Sequence, residues 1–158
     1  KSIVMIQRIQ TVFLMIAFII LTFLFWFPFA EIVGTSEQHI FELGFAGLKN
    51  INEGQKIAFD SLPLSILMLV CTALPFITIF LYRKRMIQIR LSIINIVLLL
   101  GLQGVFYFYY SAALKALSGN GTMKIIFVFP LVAAILTFLA LRAIARDEAL
   151  VRSLDRLR

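Results

Sequence analysis

Apolar residues in this chain come in long unbroken blocks, not in alternating or 3.6-residue patterns. A helix that crosses a bilayer needs about 20 largely apolar residues, within a range of about 17–25. Four blocks meet that length. The first covers 9–30, with Gln10, Thr11 and Thr22 as its polar interruptions. The second covers 62–82 and starts with Pro63, at a position where a missing N–H is harmless. The third covers 91–110, and the fourth 125–141, with Pro130 near its start. None has an Asp, Glu, Lys or Arg in its middle, and apolar residues surround each block on every side, as lipid-facing helices require. The pattern predicts one domain over 1–158: an all-α membrane protein, a four-transmembrane-helix bundle. Pro75 and Pro130 are expected to bend their helices, with Thr72 near enough to bond a freed carbonyl. The first block exceeds the apolar core of a secretory leader and no small-x-small cleavage site follows it, so it reads as a retained helix.

Between the blocks the periods change. The segment 31–61 is too long for a simple connection. Within it Phe41, Leu43 and Phe45 alternate with Ile40, Glu42 and Gly44, which is the period of a strand. Asn52-Glu53-Gly54 signals a turn, and 55–59 suits a return strand with Ile57 and Phe59 on one face. A small β-hairpin in this first outer loop is expected to lie over the helix ends. Ser118-Gly119-Asn120-Gly121 reads as a turn without chemistry. Beyond Leu141 helical spacing continues through Ile144, Leu150, Val151, Leu154 and Leu157, so 142–158 is expected to extend the fourth helix or bend onto the membrane surface.

Composition narrows the classes. Hydrophobic residues make up 61% of 158 and charged residues 15%, against about 45–50% and about 25% in ordinary soluble domains. A soluble enzyme, a disordered chain and a disulfide scaffold are excluded. The net charge of +7 divides unevenly. Eleven basic and three acidic residues fall at the N-terminus, between the second and third blocks, and in the tail. Four basic and five acidic residues fall on the other side. The positive-inside rule then places both termini in the cytoplasm and 31–61 in the periplasm. Trp26 with Phe25, Phe27 and Phe29, and the run from Phe106 to Tyr110, stand where aromatic belts form.

Candidate chemistry is sparse. One Cys (Cys71) and one His (His39) leave no disulfide, redox pair or zinc site, and no cofactor is expected. His39 stands near Glu31, Glu37 and Glu42 at spacings that match no metal site. Nucleophilic triads, phosphate loops and nucleic-acid motifs are absent from the sequence. The spans hold no ionisable residue of the kind that marks ion paths. Asn95 and Gln103 are the strongest polar groups within them. They suit either a pore lining or interhelical hydrogen bonds of about 0.5–2 kcal/mol each; interhelical contacts, with Thr72, are the expectation. Gly101 and Gly104 would let another helix approach. Arg83, Lys84 and Arg85, with Arg146, Arg152, Arg156 and Arg158 in the tail, suit anionic lipid at about 1 kcal/mol per residue, an acidic protein partner, or orientation alone.

Two end motifs carry a resemblance. Met5-Ile6-Gln7-Arg8-Ile9-Gln10 opens the first block. Arg146-Asp147-Glu148-Ala149-Leu150-Val151-Arg152-Ser153-Leu154-Asp155-Arg156-Leu157-Arg158 closes the chain. With four spans and this length, the chain resembles a Bacteroidota domain-of-unknown-function family of small four-helix inner-membrane proteins. Arg146 stands where Lys is common in that family, and Leu154 where Ala is common. The resemblance implies a multi-pass protein of a bacterial inner membrane. It implies no activity.

The resulting expectation is a non-catalytic accessory or scaffolding subunit, not an enzyme. Its partners would be membrane lipid and a larger membrane complex, reached through the tail or the periplasmic loop, and not nucleic acid. The alternative is a small-molecule or lipid transporter or channel component.

Overall fold

The computed structural model describes residues 2–34, 40–51, 61–81 and 84–155. Four helices dominate: α1 (Ser2–Phe23), α2 (Leu62–Phe80), α3 (Arg85–Leu117) and α4 (Phe129–Asp155). They form a ring. α1 packs against α2 and α4, and α3 packs against the same two. The short link between α2 and α3 makes those two antiparallel neighbours.

Each helix buries one seam. On α1 it is Gln10, Leu14 and Ala17, carried on by Leu21; on α2 it is Leu64, Met68, Cys71, Pro75 and Thr78. On α3 it is Gln88, Ser92, Asn95, Leu99, Leu102 and Phe106, and on α4 Ala133, Thr137, Ala140, Ile144 and Asp147. All four advance by alternating steps of four and three. Such a 3.5-residue period keeps a seam facing its neighbours along a left-handed bundle. The rest of each helix turns large apolar side chains outward, among them Ile66, Val97, Phe108 and Ile135. Water would penalise that surface; hydrocarbon would not.

Length tells the same story. α2 has 19 residues, about 28 Å at about 1.5 Å per residue, close to the hydrocarbon thickness of about 30 Å. Three helical segments, Leu62–Phe80, Arg85–Leu117 and Ile125–Val151, are long and apolar enough to cross a membrane; a fourth, Ile9–Phe23, is apolar but shorter. The 33 residues of α3 extend about 50 Å, so its ends project beyond any bilayer core.

The first block is not one helix. α1 stops at Phe23; hydrogen-bonded turns follow, and Ala30–Val33 becomes strand β1. β2 (Ile40–Gly44), β3 (Gly47–Asn50) and β4 (Asn120–Met123) complete an antiparallel sheet in the order β3-β2-β1-β4. The fold is therefore helical with a four-stranded sheet, not all-α with a hairpin. The alternation over 40–45 is as read: Phe41 and Leu43 are buried, Ile40 is not. The partner strand differs. Gly44 pairs with Gly47 across a turn at Phe45 and Ala46, and Gly47 takes φ 91°, a conformation glycine adopts without steric penalty. The expected turn at Asn52-Glu53-Gly54 and return strand at 55–59 lie outside the described residues. Ser118 turns the chain after α3 with φ 44°, as the sequence suggests, but Asn120 and Gly121 already belong to β4, so the sheet draws on both outer loops.

Pro63 stands in the first turn of α2, as the sequence suggests. Pro130 is not in a helix interior. A 3-10 turn covers Ile125–Val128, and Pro130 falls in the first turn of α4. Pro75 lies inside α2, which continues to Phe80.

The sheet caps one end of the ring. Phe29, just before β1, donates its N–H to Leu43 O (2.9 Å) and accepts from Lys124 N (3.0 Å). Its ring stacks on Phe106 of α3 with centroids 4.1 Å apart and planes 7° apart. Ile32, Phe41, Leu43 and Leu48 face the helices and share one core with them. The expected aromatic belts divide accordingly. Trp26 is 72% exposed and Tyr107 and Phe108 point outward, while Phe29, Phe106, Tyr109 and Tyr110 enter the core.

Candidate functional site at the polar end of the helical core

The seams are apolar toward the sheet and polar toward the opposite, tail end. Gln10 begins the buried seam of α1, and Thr78 ends that of α2. Gln88, Ser92 and Asn95 begin that of α3, and Asp147 ends that of α4. The alternating chain direction of an antiparallel ring brings these positions to one end. In the sequence Gln10 and Asn95 appear as polar residues within apolar blocks, and nothing local joins them to the others.

Some of these groups are satisfied and some are not. The buried hydroxyls of Thr72, Thr78 and Thr137 donate to Met68 O, Leu74 O and Ala133 O, each four residues back in its own helix (2.7–2.9 Å). Thr72 thus makes an intrahelical bond, not the interhelical contact expected of it. Gln88 Nε2 donates to Thr78 O across 2.8 Å, which ties the end of α2 to the start of α3. Asn95 is 1% exposed and neither its Nδ2 nor its Oδ1 has a hydrogen-bond partner. Ser92 Oγ and Gln10 Nε2 are likewise buried and unpartnered. Gln103 Oε1 also lacks a partner, on a half-buried side chain beside the seam. Gly101 and Gly104 are exposed, and a Cβ at either would meet nothing within 4 Å, so among the described residues no helix uses them for close approach.

One ion pair borders the polar end. Arg85 Nη1 lies 2.9 Å from Asp147 Oδ2, with the Asp147 side chain 2% exposed. The same nitrogen donates to Asp147 O at 3.4 Å. Asp147 reads in the sequence as one more tail charge. Its burial follows from standing three residues after Ile144 on the α4 seam. Arg85, a candidate for lipid or partner, is instead committed to α4. Lys84 and Arg146 are exposed, as are Arg90 and Arg142. Arg83, Arg156 and Arg158, with the side chain of Arg152, lie outside the described residues, as does His39.

A second polar group stands at the sheet end, on the face away from the helices. Glu31 and Glu42 are direct partners across β1 and β2, and Lys124 bridges both, with Nζ 3.1 Å from Glu42 Oε1 and in contact with Glu31 Oε1. Partial burial would lower the Lys124 pKa. The hydrogen bonds and charges of the two carboxylates outweigh it and hold the ammonium above its ordinary value. Among the described residues no group of three or more His, Cys, Asp or Glu side chains is placed to hold a metal.

A ring of apolar helices with a lipid-compatible surface, a polar end and a small capping sheet suits a helical membrane protein. Over residues 6–157 the chain matches a family described as Domain of unknown function (DUF4293), and it belongs to that family. No curated protein matches it.

Proposed function

We propose that the chain is a multi-pass protein of a bacterial inner membrane, with both termini in the cytoplasm, acting as a non-catalytic scaffold that docks a larger membrane assembly through its tail. The observation behind the docking role is α4. It runs unbroken from Phe129 to Asp155, well past the apolar block that ends at Leu141. That makes the tail a continuous helical arm, and its root is fixed to α3 by the Arg85–Asp147 pair. Arg142, Arg146 and Leu150 are exposed along it. A basic and partly apolar arm held at a fixed angle suits an acidic, amphipathic protein surface. The orientation draws support from charge, because exposed Lys84, Arg90, Arg142 and Arg146 all fall at the tail end.

The test is native co-purification in mild detergent from the organism's own membranes. The full chain is compared with a chain ending at Glu148, which keeps the Arg85–Asp147 pair. The scaffold reading expects a defined set of larger membrane proteins with the full chain and their loss with the truncated one. Recovery of this chain alone in both cases contradicts it.

A second reading has one observation in its favour. The unpartnered Asn95 amide suits a component of a small-molecule or lipid transporter or channel. Against a continuous path, the α3 seam is apolar from Leu99 through Leu102 to Phe106.

A further inference from the structure

We propose that the tail end of the helical core is a hydrated site, in which ordered water is held between α1 and α3 by Gln10, Ser92 and Asn95. α1 and α3 stand on opposite sides of the ring, since each packs against α2 and α4. Their buried seams therefore look across the same interior. Gln10 enters it from α1, and Ser92 and Asn95 from α3, and each is more than nine-tenths buried. Four of their polar atoms have no protein partner: Gln10 Nε2, Ser92 Oγ, and Asn95 Nδ2 and Oδ1.

Buried polar groups in folded proteins are almost always hydrogen-bonded, to protein or to ordered water. The threonines of the same core obey this by bonding within their helices. An amide on a helix seam has no such local escape, so it must be met from across the interior.

The chemistry of the set selects the ligand. Asn95 offers two donors and an acceptor, Ser92 one donor and acceptor sites, and Gln10 an amide nitrogen with two donors. All are neutral. This mixture of donors and acceptors matches water, which supplies both, better than an ion, which supplies one sign. Beyond Asn95 the seam continues with Leu99 and Leu102, both fully buried. They close the hydrated region toward the sheet. The site depends on the ring geometry alone and holds whichever way the chain faces.

Water contact at the Asn95 amide is the direct readout. The chain has four asparagines, Asn50, Asn52, Asn95 and Asn120. The full chain is labelled with side-chain 15N-asparagine and embedded in lipid nanodiscs. Single substitutions at Asn50, Asn52 and Asn120, made one at a time, identify the other three resonances, so Asn95 is assigned without substituting it. The proposal expects magnetisation transfer between the Asn95 amide protons and water, with exchange at least tenfold slower than at exposed Asn120. An Asn95 amide that sees no water overturns it. So does transfer from Asn95 to the protons of a co-purified organic solute.

Discussion

Arg85 and Asp147 are 62 residues apart in sequence, yet Arg85 Nη1 and Asp147 Oδ2 are 2.9 Å apart in the fold. The first turn of α3 and the last turns of α4 are locked there. Removing one member of a buried ion pair leaves the other charge without compensation, at a cost of about 3–5 kcal/mol. Asp147→Ala should lower stability by about 3 kcal/mol in detergent-titration unfolding, the lower figure because Arg85 keeps some access to water. Replacing both, Arg85→Met with Asp147→Leu, should cost clearly less than the single change. An equal or larger loss in the double variant would show that packing, not charge, holds this end.

Phe29 joins the sheet to the bundle, with its ring stacked on Phe106 and fully buried. Truncating a buried phenylalanine costs about 3–5 kcal/mol. Phe29→Ala should fall in that range and expose β1 to protease. Phe29→Leu should cost less, because it keeps most of the volume. A Phe29→Ala protein as stable as the parent would remove the shared core between sheet and helices.

Gly119 and Gly121 both allow close approach, but not to the same kind of neighbour. A Cβ on Gly119 would collide with the backbone carbonyl of Val33 in β1; one on Gly121 would meet side chains, Leu114 Cδ2 at 2.7 Å and the Tyr110 ring at Oη (2.8 Å) and Cε2 (2.9 Å). Side chains can shift; a strand backbone paired in a sheet cannot easily do so. Gly119→Ala should therefore detach β4 from β1, seen as faster amide exchange at Met123, whose residue pairs with Ala30. Gly121→Ala should slow or speed that exchange by much less.

Lys124 separates two carboxylates that face each other across strands. Its raised pKa means that its contribution is fully present below the unfolded value of about 10.4 and is lost as pH rises through the higher folded value. The sheet end should lose stability only in that alkaline window. Lys124→Met should remove the alkaline loss and leave Glu31 beside Glu42, destabilising the sheet by on the order of 1 kcal/mol or less at neutral pH, since the group is partly solvated. Melting curves from pH 7 to 11 at low and high salt check both effects.

The helices were legible because a 20-residue apolar run has few other uses in a protein. Their borders were less so. Nothing polar marks the end of α1, since Leu24 to Phe29 are apolar or aromatic and the chain leaves the helix among them. β1 and β4 have four residues each, and their pairing joins Ala30–Val33 to Asn120–Met123, far apart in sequence, which no local period records. Asn95 stood out as an amide inside an apolar run, and its burial follows. Gln10 and Asp147 did not, because each looks ordinary at the edge of a block. The four-three spacing of Gln88, Ser92, Asn95 and Leu99 was present in the sequence and was the one signal that leads to the polar end.

In the proposed orientation the chain crosses the membrane with its tail end inside and its sheet outside. Single-cysteine labelling in intact cells tests it most directly, since the native Cys71 is buried and stays silent to a membrane-impermeant maleimide. Asn120→Cys on β4 should label in intact cells, and Arg146→Cys on the exposed face of α4 only after the inner membrane is permeabilised. Labelling of Arg146→Cys in intact cells, with Asn120→Cys protected until permeabilisation, would contradict the orientation. Equal labelling of both sites before permeabilisation would contradict the membrane-spanning bundle itself.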